Sequence, residues 1–271
     1  MDNENILCCP VCKKELADSG KTYICESGHN FDKAKEGYVN LLSGLHKQGE
    51  LIGDNKSMAL SRRSFLNKGY FSSLAGAVCS LLEAEGKDCP TVLDICCGEG
   101  YYSQYVAERV NCRLFGFDIS KNMVRLAAKR RLNAVFFVAN LSHIPVFDGS
   151  TDFAFHLFAP FHASEFSRVL KKGGALVTAV PGKMHLWELK EAIYDTPYEN
   201  DEALPLAEEL TLERTVKVCA KIKLDNNEDI MSLFKMTPYY YRTSKEGIER
   251  AAALGTLETR LEFVLGVYRK E

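Results

Sequence analysis

The sequence predicts an α/β protein, a largely parallel sheet preceded by a small metal-binding module. Three observations carry that expectation. From Thr91 onward, short apolar and β-branched runs alternate with helical patterns, as in a parallel sheet covered by helices. The first fifty residues are instead rich in cysteine and turn residues and show no helical period. Between a strand and a helix lies the turn "DICCGEG", and the acidic residue Asp118 ends the next strand.

The elements follow in order. Residues 54–87 show apolar positions near helical spacing, Met58, Leu60, Phe65 and Leu66, then Leu74, Ala77, Val78, Leu81 and Leu82, with Gly69 separating two helices. "TVLDI" is the first strand of the sheet and "YSQYVAERV" its helix. "CRLFGFD" is the second strand, followed by "SKNMVRLAAKRR" with Ser120 as N-cap. "AVFFVAN", "TDFAFHLFA" and "GALVTAV" supply three more strands, and "SEFSRVLKKGG" is a helix closed by glycine. "RTVKVCAKIKL" and "LETRLEFVLGVYRK" suit the final strands, with helices at "NEDIMSLFKM" and "KEGIERAAAL". The expected organisation is a zinc-binding module at 1–50, a helical connector at 51–88 and the α/β domain at 89–271.

Composition narrows the function classes. With 26% charged and 46% hydrophobic residues, the 271-residue chain is globular. It contains no apolar run long enough to cross a bilayer and its start lacks the pattern of a signal peptide, so a cytoplasmic protein without membrane contact is expected. Its ten cysteines are then expected as thiols or metal ligands rather than disulfides. A net charge of −2 argues against a uniformly basic nucleic-acid coat. "SRRSFLNKG" and "KNMVRLAAKRR" are nevertheless basic, and convergence on one cleft would make them an RNA footprint.

Cys9-Pro-Val-Cys12 and Cys25-Glu-Ser-Gly-His29 form two short ligand pairs twelve residues apart. Tetrahedral zinc needs four such donors, and a complete Cys₃His set leaves no open position, so the site is expected to be structural. Pro10 stiffens the first turn and Gly28 permits the second. Cys8 competes with Cys9, which is favoured because it completes the two-residue spacing. Replacing Cys25 by serine is expected to release the metal while leaving cofactor binding largely intact.

The turn Asp94-Ile-Cys-Cys-Gly98-Glu99-Gly100 presents backbone N–H groups at a helix start, and Asp118 is placed to accept hydrogen bonds from a ribose. Together they indicate a nucleoside-containing cofactor, either a dinucleotide or S-adenosylmethionine. Ser103 in place of a third glycine, and an acid, Asp94, at the end of the first strand, favour the latter. "LSHIPVFDGSTDFAFHLFA" and "FSRVLKKGGALVTAVPG" are similar to the fourth and fifth strand regions of class I (Rossmann-like) S-adenosylmethionine-dependent methyltransferases.

The ordered set "CPVC", "YICESGHNFDKAKEGYVNLL", "GDNKSMALSRRSFLNKGYFSSL", "VLDICCGEGYYS", "FGFDISKNM", "AAKR", "APF", "VLKKGGALVTAVPGKMHLWELKEAIYD" and "MTPYYYR" resembles the bacterial 23S rRNA (guanine-N1)-methyltransferases along the whole chain. The resemblance implies zinc ligation by Cys9, Cys12, Cys25 and His29, and S-adenosylmethionine-dependent methylation of guanine N1 in a hairpin of 23S rRNA. It matches Phe71, Gly98, Glu99 and the Lys183–His185 segment to the cofactor pocket. With the residues read above, the cofactor-binding set becomes Phe71, Asp94, Gly98, Glu99, Gly100, Asp118, Asn140 and His185. Two positions depart from the family pattern. Cys96 stands where a glycine is expected and Phe71 where a tyrosine is expected, and cysteine does not tolerate positive φ as glycine does.

Pro160 and Phe161 follow the fourth strand, where amino-methylating relatives grip the target base, and Phe161 either stacks on guanine or packs in the core. His162 and His185 are acid/base candidates, with His185 preferred for cofactor contact. "HLFAPFHA" has no cysteine nucleophile, which counts against pyrimidine C5 chemistry. Arg62, Arg63, Lys129, Arg130 and Arg131 offer phosphate contacts for RNA. A small-molecule methyltransferase and a non-catalytic rRNA-binding factor stay open, as does a homodimer; a zinc-containing oxidoreductase is disfavoured.

Overall fold

A computed structural model describes residues 5–42 and 56–271. The chain opens with three short antiparallel strands, β1 (Leu16–Asp18), β2 (Thr22–Cys25) and β3 (Asn30–Asp32), then β4 (Val39–Asn40). Two helices follow, α1 (Lys56–Leu66) and α2 (Ser72–Glu83), and Gly69 at φ +82° makes the break between them that the sequence expects. Residues 54 and 55 of the expected helical stretch lie outside the described residues.

The α/β part begins with β5 (Thr91–Ile95), α3 (Tyr101–Arg109), β6 (Arg113–Asp118), α4 (Lys121–Ala128) and β7 (Ala134–Val138). It continues with β8 (Thr151–Leu157), α5 (Ala163–Val169), β9 (Leu170–Pro181) and α6 (Trp187–Ile193). The last elements are β10 (Thr211–Leu224), α7 (Asn227–Lys235), a 3-10 turn at Tyr240–Arg242, α8 (Lys245–Ala253) and β11 (Leu257–Arg269). Ser120 caps α4 by accepting from the Met123 N–H at 3.5 Å, as its sequence position predicts. Among the described residues no helix is long and apolar enough to cross a membrane.

The large sheet has eight strands in the order β10-β11-β9-β8-β5-β6-β7-β4. From β4 to β9 neighbouring strands run parallel, while β11 lies antiparallel to both β9 and β10. β5 is buried at every position, which is why its sequence is a continuous apolar run broken only by Thr91 and Asp94. The chain winds outward from β5 through β6 and β7, then crosses back to β8 on the other side. The cleft at the carboxyl ends of β5 and β8 is therefore the topological switch point, where ligands bind in open α/β sheets.

One expected element ends differently. The α5 helix stops at Val169, and "LKKGG" opens β9 instead of closing the helix. Gly173 takes φ +72°, and its N–H donates to the Lys270 carbonyl at 2.8 Å, while the Lys270 N–H donates to the Gly174 carbonyl at 3.1 Å. Pairing with the chain's end thus outcompetes a helix C-cap.

Each face of the sheet is covered by a different part of the chain. On one side Leu74, Val78, Leu189, Ile230 and Phe234 from the helices pack on Val92, Phe155, Val177, Phe263 and Leu265. On the other, Ile6, Leu7, Leu16, Tyr23, Val39 and Leu41 of the N-terminal module pack with Leu93, Ile95, Phe115, Phe117 and Phe137 in one core. Backbone bonds sew this seam. Cys8 N–H donates to Pro145 O at 3.0 Å, Phe147 N–H to Ile6 O at 3.0 Å and Leu41 N–H to Val138 O at 2.9 Å. Together with β4, whose Val39 pairs Phe137, they make the module part of the sheet's own fabric.

Candidate functional sites: a zinc ribbon and a carboxyl-edge cleft

The four donors predicted for zinc converge. Sγ of Cys9, Cys12 and Cys25 and a ring nitrogen of His29 all lie within 4.8 Å of one another, the only such His/Cys/Asp/Glu cluster among the described residues. Cys12 Sγ stands 3.6 Å from Cys25 Sγ, and His29 Nδ1 stands 3.6 Å from Cys9 Sγ and 3.3 Å from Cys25 Sγ. Those separations are the edges of a tetrahedron whose centre-to-donor bonds are about 2.0–2.3 Å, so the residues present fit zinc. Gly28 at φ +81° makes the second knuckle, and its N–H donates to Cys25 O at 2.8 Å. Cys8 is buried outside the cluster with its N–H on Pro145 O, and Cys9 is the member of the pair that lies within it.

The opening strand-to-helix turn is left-handed three times, at Cys96 (φ +60°), Gly98 (φ +56°) and Gly100 (φ +83°). Cys96 therefore adopts the conformation that its glycine-like place demands. Among the described residues neither Cys96 nor Cys97 belongs to a cluster of potential metal ligands. Burial raises both thiols, Cys96 to about 12, so each stays protonated and unreactive at neutral pH. A Cβ at Gly98 would meet nothing within 4 Å, so the space above this residue is open. At Gly100 it would stand 2.9 Å from Ala127 Cβ; the absence of a side chain there lets α3 pack on α4.

Relieving the Cys96 strain has a measurable consequence. A left-handed L-residue costs roughly 1–2 kcal/mol, of which the extra chain entropy of glycine cancels about 0.4–1 kcal/mol. Cys96→Gly is expected to raise unfolding stability in a denaturant melt by up to about 1.6 kcal/mol. A loss of stability instead would mean that the thiol's packing outweighs the backbone.

The carboxylates around the turn hold it in shape. Asp118 accepts from the Gly98 N–H at 3.1 Å and from the Ser120 N–H at 2.8 Å, which fixes its carboxylate at the end of β6. Asp94 is buried and accepts from Ser103 Oγ. Burial pushes its carboxyl up to about 8, the Ser103 hydroxyl opposes this, and the negative charge of Asp118 adds to it. Glu99 is 1% exposed and paired with Arg130, whose Nε donates to Glu99 Oε2 at 3.1 Å and to Glu99 O at 2.9 Å. The Arg130 side chain is itself only 4% exposed, which removes it from the RNA-facing set expected from the sequence. Arg63 also turns inward, donating to Leu126 O at 2.9 Å, whereas Lys129 and Arg131 are exposed. Glu99 Oε1 is buried and has no hydrogen-bond partner among the described residues.

On the other side of the cleft the walls are aromatic. Phe71 precedes α2, with its ring 5.7 Å from Phe263 and 6.1 Å from Phe65. His185, after β9, stacks obliquely on the same Phe263 at 4.6 Å and accepts from the Glu262 N–H at 3.2 Å. Burial, with the Lys190 ammonium nearby, holds His185 down to about 3, so it is neutral at physiological pH and serves as an acceptor and packing surface. Asn140 lies two residues beyond β7 at the same edge and closes an Asx turn by accepting from the Ser142 N–H at 2.9 Å. Pro160 and Phe161 sit beyond β8. Phe161 is half-buried, 5.1 Å from Phe166 and 6.0 Å from Tyr268. His162 stands at the start of α5 with Nδ1 3.4 Å from Ser164 Oγ.

Comparison with known proteins places this architecture. The profile described as "RlmA, N-terminal", a zinc ribbon, matches residues 7–50, and one described as "Methyltransferase domain" matches residues 92–174. A Streptomyces fradiae protein named 23S rRNA (guanine(748)-N(1))-methyltransferase is 35% identical over 68% of this chain and 66% of its own length. A Bacillus subtilis (strain 168) protein, provisionally named 23S rRNA (guanine-N(1)-)-methyltransferase YxjB, is 30% identical over 89% of this chain and 88% of its own. A Micromonospora griseorubida protein with a similar provisional name is 30% identical over 68% of each chain. The chain belongs to the 23S rRNA (guanine-N1)-methyltransferase family. Its sheet is the class I methyltransferase fold expected from the sequence, with the expected zinc-binding module in front.

In this family member the loop that carries His185 is held by residues that the sequence does not single out. Asn200 Nδ2 donates to Gly182 O at 2.9 Å and to His185 O at 3.2 Å, clamping the loop that carries His185. Its Oδ1 accepts from the buried Lys190 Nζ at 2.6 Å and from Tyr239 Oη at 2.7 Å. Lys190 Nζ also lies 4.3 Å from the centre of the Tyr198 ring and 4.8 Å from that of Tyr239. Lys190 within "VLKKGGALVTAVPGKMHLWELKEAIYD" and Tyr239 within "MTPYYYR" both fall in blocks read only as resemblance, whereas Asn200 carries no such signal.

The buried carboxyl of Asp94 also predicts a pH dependence. The folded chain keeps this proton until about pH 8, whereas an unfolded aspartate releases it near ~3.9. Across that window the native state binds more protons, so stability falls as pH rises. His156 and His185 act oppositely: burial lowers them to about 4 and about 3, and their contribution is lost as pH drops below 6.5. Between neutrality and pH 8 melting temperature should therefore decline, with a slope of at most about 1.4 kcal/mol per pH unit. Asp94→Asn should flatten that limb; an unchanged slope in the variant would show that Asp94 is not its source.

Proposed function

We propose that this protein transfers a methyl group from S-adenosylmethionine to N1 of a guanine in a hairpin of 23S rRNA. The observation that carries the reading is the joint presence, in one packed core, of the zinc ribbon and the class I sheet, the same pair spanned by the match to the Bacillus relative. When bound, S-adenosylmethionine supplies an activated methyl group on a sulfonium.

The chain's residues fit that cofactor. Asp118, its carboxylate oriented by two backbone N–H groups at the end of β6, is the acceptor placed for ribose hydroxyls. The open space over Gly98 admits close approach to the turn, and the unpartnered Oε1 of Glu99 is an acceptor for a cationic donor. Phe71 and neutral His185, joined through Phe263, form an apolar wall that excludes water. Asp94 and Gly100 act one step back, the first through Ser103 and the second by seating α3 on α4. Asn140 borders the same edge, and Pro160 shapes the exit from β8.

An RNA acceptor agrees with the surface. Lys35 of the zinc module, Arg125, Lys129 and Arg131 line a groove of ≈ 360 Å³, with Glu36 paired to Arg125 at 2.8 Å. The module and α4 thus contribute cations to one concave surface, as backbone-phosphate contacts require. Labelled methyl transfer to unmodified 23S rRNA tests the reading. Methylation of N1 blocks base pairing, so primer extension should stop at one guanine. Transfer confined to small metabolites, or S-adenosylmethionine binding with no transfer at all, would overturn it.

A further inference from the structure

We propose that Phe158, rather than Phe161, is the platform on which the target base stacks; this rests on the RNA-methylating reading above. Phe158 is the first residue beyond β8 and takes φ +60°, a conformation that disfavours a bulky side chain. Residues held in that region against their preference concentrate at ligand-handling sites. Phe158 is also 49% exposed, although Leu157 just before it is buried.

Strand register fixes where this ring stands. Ile95 pairs with His156 and Leu157 pairs with Ala179, so Phe158 leaves the sheet between the Cys96–Gly98 turn and the segment leading to His185. Its ring lies 5.5 Å from Phe263, the residue that also touches Phe71 at 5.7 Å and His185 at 4.6 Å. It is therefore braced by the cleft's own aromatic wall while part of its surface meets solvent. Phe161 is placed otherwise. It is surrounded by Phe166, Tyr268 and His156 at 5.1, 6.0 and 6.1 Å, the company of a core residue. A guanine drawn into the switch-point cleft needs an aromatic face there, and sequence-tolerant stacking is how proteins hold unpaired bases.

Glycine separates a stacking role from a structural one. Phe158→Gly removes the ring and at the same time relieves the left-handed backbone, so its melting temperature should equal or exceed that of the parent protein. Its S-adenosylmethionine affinity by calorimetry should be unchanged. Its kcat/KM for methyl transfer to an unmodified 23S rRNA transcript should fall roughly 10- to 100-fold. Phe158→Trp should restore transfer to within a few-fold of the parent. Transfer by Phe158→Gly within twofold of the parent, a tryptophan variant no better than glycine, or loss of cofactor affinity in the glycine variant would each overturn the proposal. If the parent protein itself transfers nothing to rRNA, the acceptor reading fails and takes this inference with it; if the parent transfers and the variants do too, only the role of Phe158 fails.

Discussion

Cys25→Ser is expected to release zinc and to lower the melting temperature of the whole chain by more than about 10 °C, with S-adenosylmethionine binding weakened at temperatures where the parent still binds. The sequence alone suggests a module that can unfold by itself. The structure gives the module a different standing, because Ile6, Leu7, Leu16, Val39 and Leu41 lie in one core with Ile95, Phe117 and Phe137. Fully burying such side chains contributes roughly 1.5–3 kcal/mol each, and a structural zinc site contributes about 10–16 kcal/mol to the fold it closes. Whole-domain stabilities are only about 5–15 kcal/mol. Once the knuckles open, the strand β4 and its neighbours lose their anchor, and the face of β5, β6 and β7 beneath them meets water. Circular-dichroism melts of the parent, the variant and the parent treated with a zinc chelator check this. Chelator and variant should agree, and a sheet that melts at the parent's temperature without metal would show that the module is an independent body.

What the sequence disclosed and what it hid divide along sequence distance. The zinc ligands were legible because each knuckle is local: Cys9 and Cys12, or Cys25 and His29, need only one tight turn. The strands of the sheet were legible from buried apolar runs, and the glycine-like place of Cys96 from its neighbours, which is why its φ of +60° is no surprise. β4 was not legible, since two residues, Val39 and Asn40, carry no period. Nor was the fate of "LKKGG", decided by hydrogen bonds to Lys270 at the far end of the chain. The choice between Phe158 and Phe161 turns on one backbone angle and on a ring from β11. Lys190 reads as a surface cation in its helix, yet it is buried because Tyr198, Asn200 and Tyr239 come to it from later segments.

Arg130 is the sharpest case, because its basic surroundings in "LAAKRR" suggest phosphate binding and its geometry ties it to Glu99 of the strand-to-helix turn. Arg130→Met should cost about 3–5 kcal/mol, the penalty for leaving a buried carboxylate without its cation. For a chain of this size that is a fall in melting temperature of roughly 6–20 °C. The guanidinium reaches Glu99 through both its side chain and its carbonyl, Asn67 at 2.9 Å and the side chain of Gln104, so it ties α1 and α3 to the end of α4. S-adenosylmethionine affinity should fall with it, since Glu99 follows Gly98 directly in the turn. A second replacement separates the causes. Glu99→Gln in the Arg130→Met background removes the stranded charge and should return at least about 2 kcal/mol, although either substitution alone destabilises. Residual RNA binding supplies the opposing test. A phosphate contact would reduce the salt dependence of binding by about one unit on its loss, whereas an internal strut leaves the slope unchanged. An unaltered melt together with a shallower slope would return Arg130 to the RNA surface; a large drop in melting temperature with the parent's slope is the outcome that the buried pair requires.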